Sequence, residues 1–425
     1  MSGSRVLSGR SASLAELLAS RQVGRGLPRD FYHDEALYQL ELDAVWRAGW
    51  LVAGHSCQIP EPGDYFTYVL EGDSVIVVRG DDGAIRGFHN TCRHRGSQIC
   101  SAEAGHVGRL VCPYHQWVYG RDGALTHARG MPADFDRSQH GLMPAAVEEV
   151  GGLVFLSLAE PAPSFAAARA ALEPLLAPQG LNRAKVARTI DYVVPANWKL
   201  VWENNRECYH CNTNHPQYIK ANFDHYNADD TDARVQTALA EATARSQAKW
   251  AACGLAVTHT ETGMTLFPDV ERDIWYSCNR TPLVDGYLSE TMTGQQIAPL
   301  MGDYADADVG TLRIRTLPNF WNHSSCDHSV STQLLPAGLR QTKVRVTWLV
   351  DAAACQGVDY REEDLLPFWQ LTSEQDWELC EFAQKGVDTR AYRPGPLSPY
   401  KEYNVDGFLT WYVAKLTRHL ESSRT

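Results

Sequence analysis

The sequence predicts an α+β protein in which a small all-β domain precedes a larger domain of antiparallel sheet with packed helices. Three observations carry this expectation. From about residue 51, short segments rich in Val, Ile, Phe and Tyr (51–54, 64–70, 74–79 and 84–89) are separated by Pro-Gly, Glu-Gly-Asp and Asp-Asp-Gly turns, the pattern of a small antiparallel sheet. Beyond about residue 160, strand candidates mix with longer helical stretches, and two helices close the chain. Finally, 425 residues with 44% hydrophobic and 21% charged content are enough for two packed interiors and exclude a disordered or fibrous class.

Taken in order, residues 13–20 form a short helix candidate. The segment 34–50, DEALYQLELDAVWRAGW, has helical spacing at Tyr38, Leu42, Val45 and Trp46, with acids in its first turns. These N-terminal helices (1–45) are expected to associate with the larger domain. The small domain spans 46–160 and ends after a strand at 151–158 and the break AEPAPSF. The larger domain, 161–425, opens with a helix at 165–176 and a strand at 188–196. A helix or helix pair at 197–215 follows, with Trp198, Val201 and Trp202 facing an interior. Strands are expected at 244–255, 261–268, 273–279, 311–317, 328–335 and 341–350, and helices at 373–385 and 405–418.

A formal charge of −12 argues against a nucleic-acid surface. The N-terminal MSGSRVLSGRSASLAELLASRQVGRG lacks the apolar core of a signal peptide, and no stretch approaches a membrane span, so a cytoplasmic location without membrane association is expected. Eleven cysteines in a chain this long do not form a disulfide scaffold, and some are better explained as ligands.

The segment NTCRHRGSQIC, followed by RLVCPYHQWVYGRDG, gives Cys92-x-His94, then seventeen intervening residues, then Cys112-x-x-His115. Two thiolates and two imidazoles suit zinc or an iron–sulfur cluster. In a Rieske [2Fe-2S] centre the cysteines bind one iron and the histidines the other. Glycines at 96, 105, 108, 120 and 123, with Pro113, suit tight turns that bring backbone N–H groups toward cluster sulfurs. A zinc site that only staples the domain stays open on spacing alone.

Downstream, Glu207-x-x-His210-x4-His215 offers a second set. An iron that activates dioxygen needs few protein ligands and open positions, which two histidines and one carboxylate supply. Asp376, on the 373–385 helix, is the candidate carboxylate, although an acid near a helix start is also a common cap. Without the upstream motif, His210 and His215 read equally as hydrogen-bonded packing residues. Glu207 faces the same side as His210, and Cys208 and Cys211 form a Cys-x-x-Cys that is a lesser ligand candidate.

With these residues in hand, the chain resembles the large subunit of Rieske non-haem iron ring-hydroxylating oxygenases. The likeness covers the helix near 34–50, GHSCQIPEPGDYF (54–66), the motif at 92–115, NWKLVWENNRECYHC (197–211) and EQDWELCEFAQKGVDTRAYRPGPLSPYKE (374–402). It implies a Rieske domain and a helix-grip catalytic domain, a [2Fe-2S] cluster on Cys92, His94, Cys112 and His115, and a mononuclear Fe(II) on His210, His215 and Asp376. It also implies a homotrimeric ring, or a multiple of one, in which electrons cross between subunits through an acidic bridge. Glu207 stands at the bridge, where many members acting on aromatic rings have Asp. That departure, with NRECYHC (205–211) and PGPLSPYKE (394–402), is similar to the branch of glycine betaine monooxygenases and proline betaine demethylases.

The implied reaction takes NAD(P)H electrons through a separate flavin/iron–sulfur reductase and uses dioxygen to hydroxylate an N-methyl group of a small quaternary ammonium substrate, releasing formaldehyde. An aromatic ring dioxygenase with the same metals, and a nonenzymatic electron carrier or zinc-stabilised binding protein, are the rival readings. A quaternary ammonium has no N–H donor, so aromatic faces must recognise it. Trp275, Tyr276, Phe320 and Trp321 are the candidates in the strand-rich half.

Overall fold

The computed structural model describes residues 13–222, 233–256 and 268–422. The chain begins with helix α1 (13–19) and helix α2 (Glu35–Glu41), whose N-terminus is capped by Asp34 accepting from the Leu37 N–H at 2.9 Å. A five-residue wide turn, Leu42–Trp46, continues α2 and brings Trp46 edge-on to Trp198 at 5.3 Å between ring centroids. The predicted single helix over 34–50 is therefore shorter and loosens at its end.

Ten strands follow: β1 (Trp50–His55), β2 (Asp64–Leu70), β3 (Asp73–Arg79), β4 (Ile85–His89), β5 (Ala104–His106), β6 (Leu110–Val111), β7 (Val118–Tyr119), β8 (Leu125–His127), β9 (Pro144–Val150) and β10 (Leu153–Ser157). Seven form an antiparallel sheet in the order β1-β10-β9-β4-β3-β2-β5, and β6-β7-β8 form a separate three-stranded sheet. Strand β3 divides two interiors. With a side-chain period of two, Val75 and Val77 join the large core, while Ile76 and Val78 join a smaller cluster with Cys92, Cys112, Trp117 and Tyr119.

The second sheet comprises β11 (Ala184–Val194), β12 (Tyr276–Thr281), β13 (Thr311–Thr316), β14 (Phe320–Ser324), β15 (Ser329–Pro336) and β16 (Thr342–Asp351). Its order is β11-β16-β15-β14-β13-β12, antiparallel throughout. Helices α3 (Ala166–Leu176), α4 (Trp198–Asn205), α5 (Cys211–Asn214), α6 (Pro216–Ala221), α7 (Ala233–Ala252), α8 (Glu362–Leu365), α9 (Pro367–Val387) and α10 (Tyr403–Ser422) complete the chain. The α+β expectation holds: a β-rich unit is followed by antiparallel sheet with flanking helices.

Two local expectations change. Residues 244–255 belong mainly to α7, because Leu239, Ala242 and Trp250 are buried at helical spacing in an Ala-rich segment of strong helix formers. The span 197–215 takes the helix-pair alternative: Arg206 caps α4 and the chain turns before the single turn α5. Strand β14 had no counterpart in the sequence reading, because both of its faces are buried and the polar Asn322 and His323 interrupt its pattern. The strand expected at 261–268 falls almost wholly outside the described residues.

The two sheets meet through polar groups that are fully used. Asn319 donates to the Val52 C=O at 2.8 Å and accepts from the Val52 N–H at 3.0 Å, and His55 Nε2 bonds Ser331 Oγ at 2.9 Å. Burial pushes His55 down to about 4, so it remains a neutral partner near neutral pH.

Candidate metal centres

The first constellation sits on two loops of identical construction. After β4, Gly96 N–H bonds the Cys92 C=O at 2.9 Å and Cys92 N–H bonds the Ser97 C=O at 2.8 Å. Between β6 and β7, Gln116 N–H bonds the Cys112 C=O at 3.0 Å and Cys112 N–H bonds the Trp117 C=O at 2.9 Å. The residue turning each corner is left-handed, Gly96 at φ 75° and Gln116 at φ 60°, so only one of the two corners is relieved by glycine. Both cysteines are buried, whereas His94 is exposed and His115 lies partly so.

The donor atoms fit a metal group. The Nδ1 atoms of His94 and His115 face each other at 3.1 Å, the spacing of two nitrogens each about 2.1 Å from one ion. His94 also stacks on Trp117, at 4.8 Å and 9°. At the buried end, Tyr119 Oη lies 3.2 Å from Cys92 Sγ and accepts from the Arg93 N–H at 3.1 Å. Burial disfavours a thiolate at Cys112, but the N–H groups of Tyr114 and His115 and contacts from Cys92 and Ser97 outweigh it and hold that thiol below its ordinary value. N–H groups aimed at sulfur are what an iron–sulfur cluster requires.

The second constellation joins the segment after α4 to α9. His210 Nε2 and His215 Nε2 lie 3.1 and 3.0 Å from the same oxygen, Asp376 Oδ1. Their other nitrogens are occupied: His210 Nδ1 bonds Glu207 Oε1 at 2.6 Å, and His215 Nδ1 bonds Gln375 Oε1 at 2.8 Å. Gln375 is held in turn by Gln217 Nε2 at 3.0 Å. With both Nδ1 protons donated to these oxygens, two Nε2 lone pairs and a carboxylate converge on one point, which demands a cation. Burial lowers His210, yet the Asp376 and Glu207 carboxylates overcome it and raise its affinity for a proton to about 10. Burial likewise opposes ionisation of Asp376, and the two histidines bring it down to about 2. A divalent ion satisfies all three donors without the proton.

Cys211 also lies with His210 and His215, all ligand atoms within 4.8 Å, but it forms a disulfide with Cys208. A disulfide sulfur carries no thiolate charge, so Asp376 is the better third donor.

A pocket of ≈ 720 Å³, counting open solvent at its mouth, borders this second site. Its helical wall presents Trp369, Thr372, Ser373, Asp376 and Trp377 from α9, and its sheet wall presents Arg315, Trp321 and His323. Of the four aromatic candidates from the sequence, only Trp321 lines it. Phe320 alternates to the other face of β14 and meets His55 at 6.4 Å, while Trp275 packs against Phe155 and Phe165 at 6.0 and 6.1 Å, with Tyr276 beside it at 5.3 Å.

Comparison with known proteins bears on both constellations. Residues 49–144 match the Rieske [2Fe-2S] domain, and residues 181–418 match the ring hydroxylating alpha subunit catalytic domain. The chain belongs to the Rieske ring-hydroxylating oxygenase alpha-subunit family. Among its relatives, the glycine betaine monooxygenase oxygenase subunit of Chromohalobacter salexigens is 41% identical over 411 residues, 96% of this chain and 89% of that one. The subunit of the same description from Pseudomonas aeruginosa PAO1 is 40% identical over 408 residues, 96% and 92% of the two chains. A solved quaternary ammonium Rieske monooxygenase bound to γ-butyrobetaine superposes with a TM-score of 0.66 at 20% identity, covering 95% of this chain and 98% of that one.

As a member of this family the protein carries a Rieske [2Fe-2S] cluster and a mononuclear iron site around His210 and His215. The pocket residues missed by sequence reasoning had a usable signal. Once Asp376 is placed inward on a helix, Ser373, Thr372 and Trp369 at i−3, i−4 and i−7 share its face.

Proposed function

We propose that this protein is the oxygenase component of a Rieske monooxygenase that hydroxylates an N-methyl group of a betaine, with glycine betaine or proline betaine as substrate. The observation that carries the reading is the pocket itself: three indoles, Trp321, Trp369 and Trp377, stand around the His210, His215 and Asp376 donors. Aromatic faces bind a cation that cannot donate a hydrogen bond. The names of the relatives at 40–41% identity point the same way.

In this reading Cys92 and Cys112 hold one cluster iron and His94 and His115 the other, while His210, His215 and Asp376 hold the mononuclear iron. When bound, that iron supplies dioxygen activation with electrons delivered through the cluster. The chain's own residues do the rest. Glu207 fixes His210 through Nδ1 and bridges electron arrival from the cluster of a neighbouring subunit in a homotrimer. Gln375 fixes His215. The indoles hold the ammonium so that one methyl faces the three donors. Substrate methyl, dioxygen, two electrons and two protons give a carbinol and water. The carbinol then collapses to formaldehyde, the demethylated amine and a proton. Electrons are drawn from NAD(P)H through a flavin/iron–sulfur reductase. The domain limits near residues 46 and 160, and a cytoplasmic location, belong to the same proposal. Among the described residues no helix is long and apolar enough to cross a membrane.

The test is turnover with a compatible reductase on glycine betaine, proline betaine, carnitine and choline, reading formaldehyde against oxygen consumed. One formaldehyde per dioxygen with a betaine is the expected result. Oxidation of an aromatic substrate to a diol, with no formaldehyde from any betaine, would remove the proposal.

A further inference from the structure

We propose that Arg315 binds the substrate's carboxylate and so restricts the pocket to zwitterions, an assignment that rests on the betaine reading above. Arg315 on β13 stands directly across the antiparallel ladder from Trp321 on β14. Opposed residues project from the same face of a sheet, and both side chains line the pocket. Arg315 is only 8% exposed, and its Nε–H donates to Asn205 Oδ1 at 3.3 Å, tying the guanidinium to the end of α4.

The pocket is therefore polarised. Its sheet wall carries a guanidinium, which is charged at any working pH, while on the helical wall a divalent iron held by Asp376 offsets the charges of Asp376 and of Glu207 behind His210, so that the indole faces are what is left to hold the ammonium. Trp321 and Trp377, with ring centroids 6.4 Å apart, lie at the junction of the two walls. A substrate with only a positive charge is repelled by Arg315. A neutral aromatic stacks on the indoles but leaves Arg315 without a counter-charge. A short zwitterion satisfies both, and placing its carboxylate on Arg315 turns its N-methyl groups toward Asp376. Two residues back on the same face, Arg313 is not among the residues that line the pocket: it donates to Asn222 Oδ1 at 2.9 Å and sits in the field of the buried Glu290 carboxylate. Arg206, the other guanidinium lining the pocket, lies on the segment next to Glu207 and has no indole across a ladder from it.

The experiment compares glycine betaine, its methyl ester and choline on the reductase-coupled holoenzyme, measuring KM and kcat by formaldehyde release. The native enzyme should prefer glycine betaine over the ester on the order of 100-fold in kcat/KM, the size of a charge-assisted hydrogen-bonded pair. In Arg315→Gln that preference should collapse toward unity through KM for glycine betaine, and Arg315→Lys should recover part of it. Cluster absorbance and iron content report whether each variant is intact. A native enzyme that takes the ester or choline as readily as the betaine overturns the assignment without recourse to any variant. So does Arg315→Gln with its preference retained, or loss of that preference in Arg206→Gln alone. If no quaternary ammonium releases formaldehyde from the native enzyme, the betaine reading itself has failed, and the assignment falls with it.

Discussion

Glu207 makes two bonds at once, accepting from His210 Nδ1 at 2.6 Å through one oxygen and from the Tyr209 N–H through the other. A carboxamide in its place has a single acceptor oxygen, which can keep the His210 bond but not the Tyr209 bond as well. Glu207→Gln keeps an amide oxygen for His210 and removes the charge, so the iron should stay bound while coupled formaldehyde formation falls about 10–100-fold, the range for a residue that orients a metal ligand. Metal analysis beside turnover checks this, and unchanged turnover would contradict the bridging role. Asp376→Ala tests the donor set differently. About three irons per chain should become about two, with the visible spectrum of the cluster intact. The sequence singles out Glu207, His210 and His215 by spacing and Asp376 through the family likeness, and the structure brings the four side chains together. The indoles were not legible as a group, because a Trp on a helix or strand is ordinarily core. Only the register that puts Trp321 opposite Arg315, and α9 across from it, makes three of them line a pocket.

Helix α4 links this site to the buried interior. Lys199 Nζ is fully enclosed, 2.6 Å from Glu41 Oε1, and lies over the rings of Tyr32, Trp198 and Tyr412. Trp198 Nε1 and Tyr412 Oη donate to the same carboxylate, at 2.7 and 2.5 Å. Lys199→Met would strand that carboxylate, and a loss of about 3–5 kcal/mol in chemical denaturation is expected. One turn on, burial lifts Glu203 to about 7 against the Tyr32 hydrogen bond and the attraction of Lys199. Its folded value lies above its ordinary 4.5, so the folded state holds the extra proton between the two, and stability declines as pH rises through that window. Glu203→Gln should flatten the fall in Tm between pH 5 and pH 8, and an unaltered slope would show that Glu203 is not its source. Neither acid could be singled out beforehand, since Glu41 and Lys199 are 158 positions apart. Helix α7 misled the sequence reading for a related reason: a window opened at residue 244 cuts off the first half of its period.

At the scale of the whole molecule, the sequence separates a β-rich unit from a helix-flanked sheet and leaves out how the two are joined. That information lies in β3, whose alternate residues serve both interiors, and in Asn319, whose amide replaces a strand partner for Val52. Such pairings join positions 267 apart and leave no local pattern. Their consequence is mechanical. A cluster domain that moved freely on its neighbour would break both Asn319 bonds inside a dry interface and expose Val75 and Val77, so the two units should unfold together. Heating the holoprotein should therefore bleach the cluster's visible circular dichroism and the far-ultraviolet signal at one Tm. Asn319→Ala leaves the buried Val52 N–H without its partner, at about 1–3 kcal/mol, while the Val52 C=O keeps the Gln333 amide donor. It should lower both transitions by the same amount and keep them coincident. A variant in which the cluster signal survives past the far-ultraviolet transition, or precedes it, would mean that the shared core does not couple the domains, and that electron delivery to the iron site tolerates their independent motion.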